Sequence, residues 1–141
     1  MSRLDAFTSG EVFRADYPQI IATKREKALL HPVRLLDKGA DYVAGQVLGQ
    51  ITTGAPAADI GKYTDYNNSG ASGEDTAVCV LLDSVTSELV ANASGGSLAR
   101  AVFGGGVELY EDKLIDLDAN AKTDLKSRSY SDATGTNFLV F

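Results

Sequence analysis

The residue types that support nucleophilic or acid–base catalysis are scarce in this sequence. The 141 residues include one histidine, His31, and one cysteine, Cys79. Cys79 lies within an apolar run, whereas a catalytic thiolate needs a polarising partner close by. A pair formed by Cys79 and His31 stays open but is not favoured, because His31 precedes a proline in a distant segment. The same histidine position gives no support to a Ser-His-Asp triad.

Two adjacent acids, Glu111 and Asp112, are the best candidates for acid–base chemistry. A glycosidase needs its two carboxyl groups on opposite sides of the scissile bond, roughly 5–10 Å apart. Neighbours at the end of a predicted strand seldom converge in this way, and they are better suited to close the following turn through backbone N–H groups. A small β-barrel hydrolase or sugar-binding module that uses this pair therefore stays open as the less favoured alternative.

The glycine run Gly104–Gly106 does not resemble a phosphate-binding loop. It lacks the lysine and hydroxyl residues of a P-loop, and it opens onto a strand-like alternation. The run therefore predicts a bulge or a tight bend. We expect neither a metal nor another cofactor, because one histidine with one cysteine cannot form a zinc site and the loop aspartates lack the spacing of an EF-hand. These aspartates are Asp59, Asp65, Asp75 and Asp83.

The net charge of −6 is unevenly distributed along the chain. Residues 1–28 carry a balance of roughly +1, which leaves about −7 for the remaining residues. An acidic body repels nucleic acid, and the sequence offers no basic stripe for phosphate binding, so we expect no direct nucleic-acid partner. No apolar run approaches the roughly 20 residues that span a membrane, so we expect no membrane partner.

From Val33 onward, short apolar and β-branched segments alternate with turn residues, which is typical of a β-rich domain. The nearly continuous apolar run Thr76–Leu82 predicts a central strand covered on both faces, with Cys79 buried and inert. Asp118–Tyr130 predicts a short helix with Asp118 as its N-cap. The sequence thus predicts a mostly β domain with one or two short helices, of the α+β class. Further strands are predicted in VRLLDKGADY, AGQVLGQI, KYTDY, SLARAVFGGGVELYED and TNFLVF.

The first 28 residues differ from the rest of the chain. Their apolar residues show neither helical spacing nor sustained alternation, which favours an extended N-terminal arm before one domain over residues 29–141. The alternative is that this segment supplies a first strand or helix of the core. The apolar side chains that an arm offers to a partner are Phe7, Val12, Phe13, Tyr17, Ile20 and Ile21.

Four stretches of the sequence, read in order, resemble the lambda-type bacteriophage head decoration proteins. They are KGADYVAGQVLGQI, EDTAVCVLL, GGVELYEDKL, and DLKSRSY followed by TGTNFLVF. The resemblance covers roughly Leu29–Phe141, and its one compact motif consists of Tyr110, Glu111, Asp112 and Leu114. The sequence departs from the family at Cys79, where a glycine is common, and in the long loop TTGAPAADIGKYTDYNNSG.

The resemblance implies a compact, small β-barrel-like domain that works without catalysis. It implies homotrimers that bind the major capsid protein at local three-fold positions of the expanded head and stabilise the shell against the pressure of packaged DNA. The protein would be made in the host cytoplasm and act on the capsid exterior of the virion, where the arm would order on the shell. A structural module of a tail or fibre is the alternative within the virion.

Overall fold

The computed structural model describes residues 20–23, 29–54, 56–93, 97–104 and 108–127. These residues form seven strands, two α-helices and two short 3-10 turns. The 3-10 turns are Ala57–Asp59 and Glu111–Lys113. The strands and helices are β1 (Ile21–Thr23), β2 (Leu29–Leu35), β3 (Val47–Gln50), β4 (Tyr63–Asp65), β5 (Cys79–Leu81), α1 (Ser87–Asn92), β6 (Ser97–Gly104), β7 (Glu108–Leu109) and α2 (Ala119–Ser127).

Five of the strands form a closed barrel in the order β2-β4-β3-β5-β6, in which β6 pairs again with β2. β2 and β6 are antiparallel over their whole length, from Leu29 opposite Gly104 to Leu35 opposite Ser97. β2 pairs with β4 in parallel, with Leu35 opposite Tyr63. The other neighbouring strands pair in antiparallel fashion. The prediction of a mostly β, barrel-like fold with short helices is confirmed.

An inner core fills the barrel, because alternate residues of a strand point to opposite faces of the sheet. In β5, Cys79 and Leu81 point inward, whereas Val80 points outward into a second core. All three side chains are fully buried, so the prediction of a central strand covered on both faces is confirmed. The inner core consists of Val33, Leu35, Tyr42, Leu48, Val78, Cys79, Leu81, Val85, Val90, Ala99, Ala101 and Phe103.

An outer core lies between one side of the barrel wall and a second layer, which consists of the two-stranded β1–β7 sheet and α2. The wall contributes Val47, Val80 and Val102, which are outward-facing residues of β3, β5 and β6. Burial of each valine, leucine or isoleucine contributes about 1.5–3 kcal/mol relative to exposure, so apolar packing holds the layer in place. The other buried members of the outer core are Ile20, Ile21, Tyr66, Ala77, Leu82, Leu109, Ala121 and Leu125.

Two aspartates fasten α2 to the barrel. Asp118 Oδ1 accepts a hydrogen bond from the N–H of Ala121 at 2.7 Å and another from the Tyr66 hydroxyl at 3.0 Å. Asp124 Oδ2 accepts from the N–H of Ala77 at 3.0 Å. Burial and the hydrogen bond to Asp118 raise the pKa of Tyr66 to about 12, so the phenol stays a donor at neutral pH. The predicted N-cap role of Asp118 is confirmed.

Gly49 in β3 allows the loop over residues 67–76 to lie against the barrel wall. A Cβ atom at Gly49 would lie 2.7 Å from the Cα of Glu74, which is closer than side-chain atoms approach backbone. The Glu74 carboxylate in turn accepts hydrogen bonds from the N–H groups of Ala71 and Ser72. A glycine within a strand commonly marks such a close approach of backbone.

Helix α1 is an element that the sequence analysis did not predict. The Thr86 hydroxyl caps it by accepting from the N–H of Leu89 at 3.3 Å, and the Asp41 carboxylate accepts from the N–H of Ser87 at 2.7 Å. Only Val90 among its six residues is buried. One buried residue gives no helical periodicity to read in the sequence.

Candidate binding surface

The barrel is filled by side chains rather than open to a ligand along its axis. The ring of His31 packs edge-on against Phe103, which packs edge-on against Tyr63. Near one end, the Lys38 ammonium lies 4.1 Å from the centre of the Tyr42 ring. Burial raises the pKa of Tyr42 to about 12, and its hydroxyl donates to the carbonyl of a loop residue after β2. The sole histidine is thus part of the barrel's packing.

Glu111 and Asp112 lie in an exposed 3-10 turn that directly follows β7. The Glu111 carboxylate forms an ion pair with Lys122 of α2. The N–H of Tyr110 donates to the carbonyl of Ile20 at 2.8 Å. The turn therefore connects β7 with α2 and β1, which supports an architectural role for this segment. The predicted sequence of strand and turn is confirmed.

An acidic cleft in the described part of the chain has a volume of about 560 Å³. Asp65 accepts from the Lys38 ammonium at 2.6 Å, Asp116 accepts from the Gln46 amide at 2.8 Å, and Asp118 caps α2. Each of these three acids therefore has a structural partner. Within the described ranges, no cluster of three or more His, Cys, Asp or Glu side chains is arranged to hold a metal. The cleft is lined by Asp65, Tyr66, Asn67, Asn68, Asp116, Leu117 and Asp118.

The structure places two of the predicted capsid-contact residues inside the domain. Ile20 and Ile21 are each 2% exposed and belong to the outer core. Ile21 lies opposite Leu109, because β1 pairs with β7. The alternative of a first core strand therefore describes these two residues better than an arm does. Their side chains are enclosed by the layer and do not present a surface to a partner.

The other four predicted contact residues, Phe7, Val12, Phe13 and Tyr17, lie outside the described residues, and their role stays a prediction. The same holds for the predicted strand TNFLVF. The predicted bend at Gly104–Gly106 also lies partly outside the described residues, which include Gly104, the last residue of β6, and continue from Glu108.

One side of the barrel wall carries apolar and cationic side chains on its exterior. We call it the β2–β6 outer face. Leu30 and Leu98, on neighbouring strands, are 40% and 59% exposed. Across the ladder, Pro32 lies opposite Arg100, and Arg34 lies opposite Leu98. Among the described residues, no helix or strand covers this face. The β2–β6 outer face consists of Leu30, Pro32, Arg34, Leu98 and Arg100.

Asp83 holds Arg100 in a fixed orientation on this face. Its carboxylate accepts from the backbone N–H of Arg100 at 2.9 Å, and from Nε and Nη2 of the guanidinium at 3.3 Å each. The Arg100 side chain remains 47% exposed, whereas that of Asp83 is 13% exposed. A guanidinium held along one edge by a carboxylate loses less entropy on meeting a partner than a free one. The arginine is therefore prepared for a contact.

The β2–β6 outer face could not be predicted from the sequence, because its hydrophobic pattern is hidden. The segment LLHPVRLL is almost entirely apolar, so the inward residues Val33 and Leu35 are not distinguished from outward Leu30 by hydrophobicity. The only usable cue is the position of Arg34 between two inward residues. The doublet formed by Ile20 and Ile21 was a cue for β1, but a strand of three residues is too short to show alternation.

A small barrel filled by its own side chains leaves its outer surfaces for contacts with partners. The family model described as bacteriophage lambda head decoration protein D matches residues 31–127. The match covers nearly all of the barrel and both helices, and the chain belongs to this family. The comparisons with curated proteins and with solved structures gave no match. Among the described helices, none is both long and apolar enough to cross a lipid bilayer.

Membership assigns the chain to the structural proteins of phage heads, with a capsid decoration role and an association with the capsid of the virion. The family match begins within β2, so β1 and the residues before it lie outside the matched range. The family match therefore includes the barrel surface and leaves out the N-terminal residues.

Proposed function

We propose that this protein binds the major capsid protein as a homotrimer at local three-fold positions of the expanded phage head and stabilises the shell against the pressure of packaged DNA. The observation that carries this proposal is the family match over residues 31–127. The proposal includes synthesis in the host cytoplasm, action on the capsid exterior, and a function that needs neither catalysis nor a nucleic-acid or membrane partner.

The two cores suit a protein that resists deformation. The inner core fills the barrel, and the outer core fixes α2 and the β1–β7 sheet against it. A closed three-fold oligomer presents three copies of each contact to the shell. After one contact forms, the others engage at high effective concentration, so weak individual contacts give strong overall binding.

The N-terminal residues supply a tether in this proposal. Burial of Ile20 and Ile21 fixes the point at which residues 1–19 join the domain. An extended segment can add a strand to a sheet edge of a partner, where main-chain hydrogen bonds give affinity and side-chain pockets give selectivity. Phe7, Val12 and Phe13, with Tyr17, are the side chains we assign to such pockets.

Deletion of residues 1–19 tests the tether while it leaves β1 in place. We expect the shortened chain to keep its thermal unfolding transition and to lose most of its binding to expanded heads. A variant with Thr8 and Ser9 changed to alanine is the matched control, because it alters the same segment and keeps its apolar residues. It should bind like the wild type. Unchanged binding of the shortened chain would remove the tether from the proposal.

Mass measurement by light scattering and a pelleting assay test the proposal as a whole. We expect a trimer, or a monomer–trimer equilibrium, that binds expanded heads and not unexpanded ones. Electron cryomicroscopy of particles should place the protein at the local three-fold positions of the head. Density on a tail or fibre, or a monomer that binds neither form of head, would contradict the proposal.

A further inference from the structure

The two sides of the barrel wall are covered unequally. Outward-facing Val80 and Val102 lie under the layer of α2 and the β1–β7 sheet. Leu30, which lies opposite Val102 in the same row, is 40% exposed, and Leu98 at the other end of the face is 59% exposed. With about 3.3 Å per residue, the four steps from Leu30 to Arg34 make the face roughly 13 Å long.

The charges of this face contrast with those of the whole chain. The face carries Arg34 and Arg100, whereas the chain has a net charge of −6. Two arginines against the one carboxylate of Asp83 leave the face with an excess of positive charge, which does not suit contact with an identical face across a two-fold axis, since like charges would meet. It suits contact with a different, acidic surface. With 19 acidic and 13 basic residues, a second copy of the chain has acidic side chains to offer.

We propose that the β2–β6 outer face is the heterologous interface through which each copy packs on an acidic surface of its neighbour in the trimer. The leucines and Pro32 supply the apolar centre of the contact, and the arginines supply charge complementarity. Contacts between unlike surfaces close into a ring, which is the geometry of a three-fold oligomer. This inference rests on the proposed trimer and names the surface that forms it.

Leu98→Glu and Leu89→Glu form a matched pair for the test. Leu98 is 59% exposed on the face, and Leu89 is 60% exposed on α1, outside the face. We expect Leu98→Glu to weaken trimer assembly at least tenfold, measured by light scattering over a dilution series. Leu89→Glu should assemble like the wild type. Both should keep the thermal unfolding transition of the wild-type monomer, measured at dilutions where it dissociates.

The charge contribution has its own matched pair. Arg34→Glu changes the face, whereas Lys126→Glu makes the same change of charge at an exposed position of α2. We expect Arg34→Glu to weaken assembly severalfold and Lys126→Glu to leave it unchanged. Equal effects of the two variants would mean that only net charge matters, which contradicts the proposed interface.

The outcomes separate this inference from the proposed function. A wild-type protein that stays monomeric at every concentration would contradict the trimer itself. A trimeric Leu98→Glu variant would leave the trimer standing and overturn this interface. If the trimeric variant lost capsid binding, the face would be a contact with the capsid. If it lost thermal stability instead, the face would be covered by a segment of its own chain.

Single cysteines test the arrangement of the contact. Cys79 is fully buried, so an introduced Leu98→Cys would be the reactive thiol. Under oxidation of the assembled trimer, a heterologous contact keeps the three new thiols apart, and we expect no disulfide-linked dimer. Rapid formation of that dimer would show that identical faces meet, which overturns the proposal.

Discussion

The covered and bare sides of one barrel wall differ in what their outward residues do. On the covered side, Val47 and Val80 add to the stability of the fold through the outer core. On the bare side, Leu30 and Leu98 face outward on strands of the same barrel without such a layer among the described residues. The same alternation of a strand therefore serves folding on one side and, in our proposal, assembly on the other.

The largest expected effect is on the covered side. Leu82→Ala removes a fully buried side chain of the outer core and should lower the free energy of unfolding by about 2–5 kcal/mol. Leu98→Ala should lower the free energy of unfolding of the monomer by less than about 0.5 kcal/mol. Chemical denaturation measures both. Similar losses would mean that the bare side is buried in the monomer and would remove the contrast between the sides.

The attachment of α2 should give the next effect. Asp118→Ala removes an N-cap and the acceptor of the Tyr66 hydroxyl, so we expect a loss of about 1–3 kcal/mol in the free energy of unfolding. Asp112→Ala, which removes an exposed acid from the 3-10 turn, is the matched control. It should cost less than about 0.5 kcal/mol. Equal losses would mean that α2 does not depend on its cap.

High pH should weaken both cores together. Burial first, with nearby negative charge and, for Tyr66 alone, the hydrogen bond to Asp118, raises the pKa values of Tyr42 and Tyr66 to about 12 from the ordinary 10. Because these pKa values are raised in the folded state, their contribution is complete below pH 10 and is lost as the pH rises towards 12. Denaturation curves should show a decline on the order of 1 kcal/mol per tyrosine. Tyr66→Phe should reduce this loss of stability between pH 10 and 12. An unchanged dependence of stability on pH in that variant would argue against the contact between Tyr66 and Asp118.

The smallest effect should come from the adjacent acids that first suggested chemistry. Glu111→Gln removes the partner of Lys122, and an ion pair this exposed contributes about 0–1 kcal/mol. Trimer mass and capsid binding should be unchanged. A loss of carbohydrate binding or hydrolysis in this variant, with the fold intact, would instead support the alternative of a hydrolase or sugar-binding module.

Most of the barrel was predictable because its strands differ sharply from its turns in amino-acid composition. The central strand around Cys79, the N-cap Asp118 and the turn after Leu109 each follow from local chemistry that does not depend on distant residues. β1 and α1 were not predictable, because each has only a few residues in the core and acquires its conformation from partners far along the chain. Closure of the barrel by β2 and β6 is likewise a long-range pairing.

The binding surface was harder to predict than the fold. Exposure of Leu30 and Leu98 depends on which side of the barrel the second layer covers, and no local pattern encodes that choice. Ile20 and Ile21 show the converse, since apolar residues assigned to a tether belong to the core. Apolar content alone does not distinguish burial within a domain from burial against a partner.

The most direct test of the account is electron cryomicroscopy of expanded heads incubated with this protein, alongside unexpanded heads as the control. We predict three copies of the barrel around each occupied local three-fold position of the expanded head, in contact with the major capsid protein. No bound density on the heads, or single copies placed away from the three-fold positions, would contradict the account.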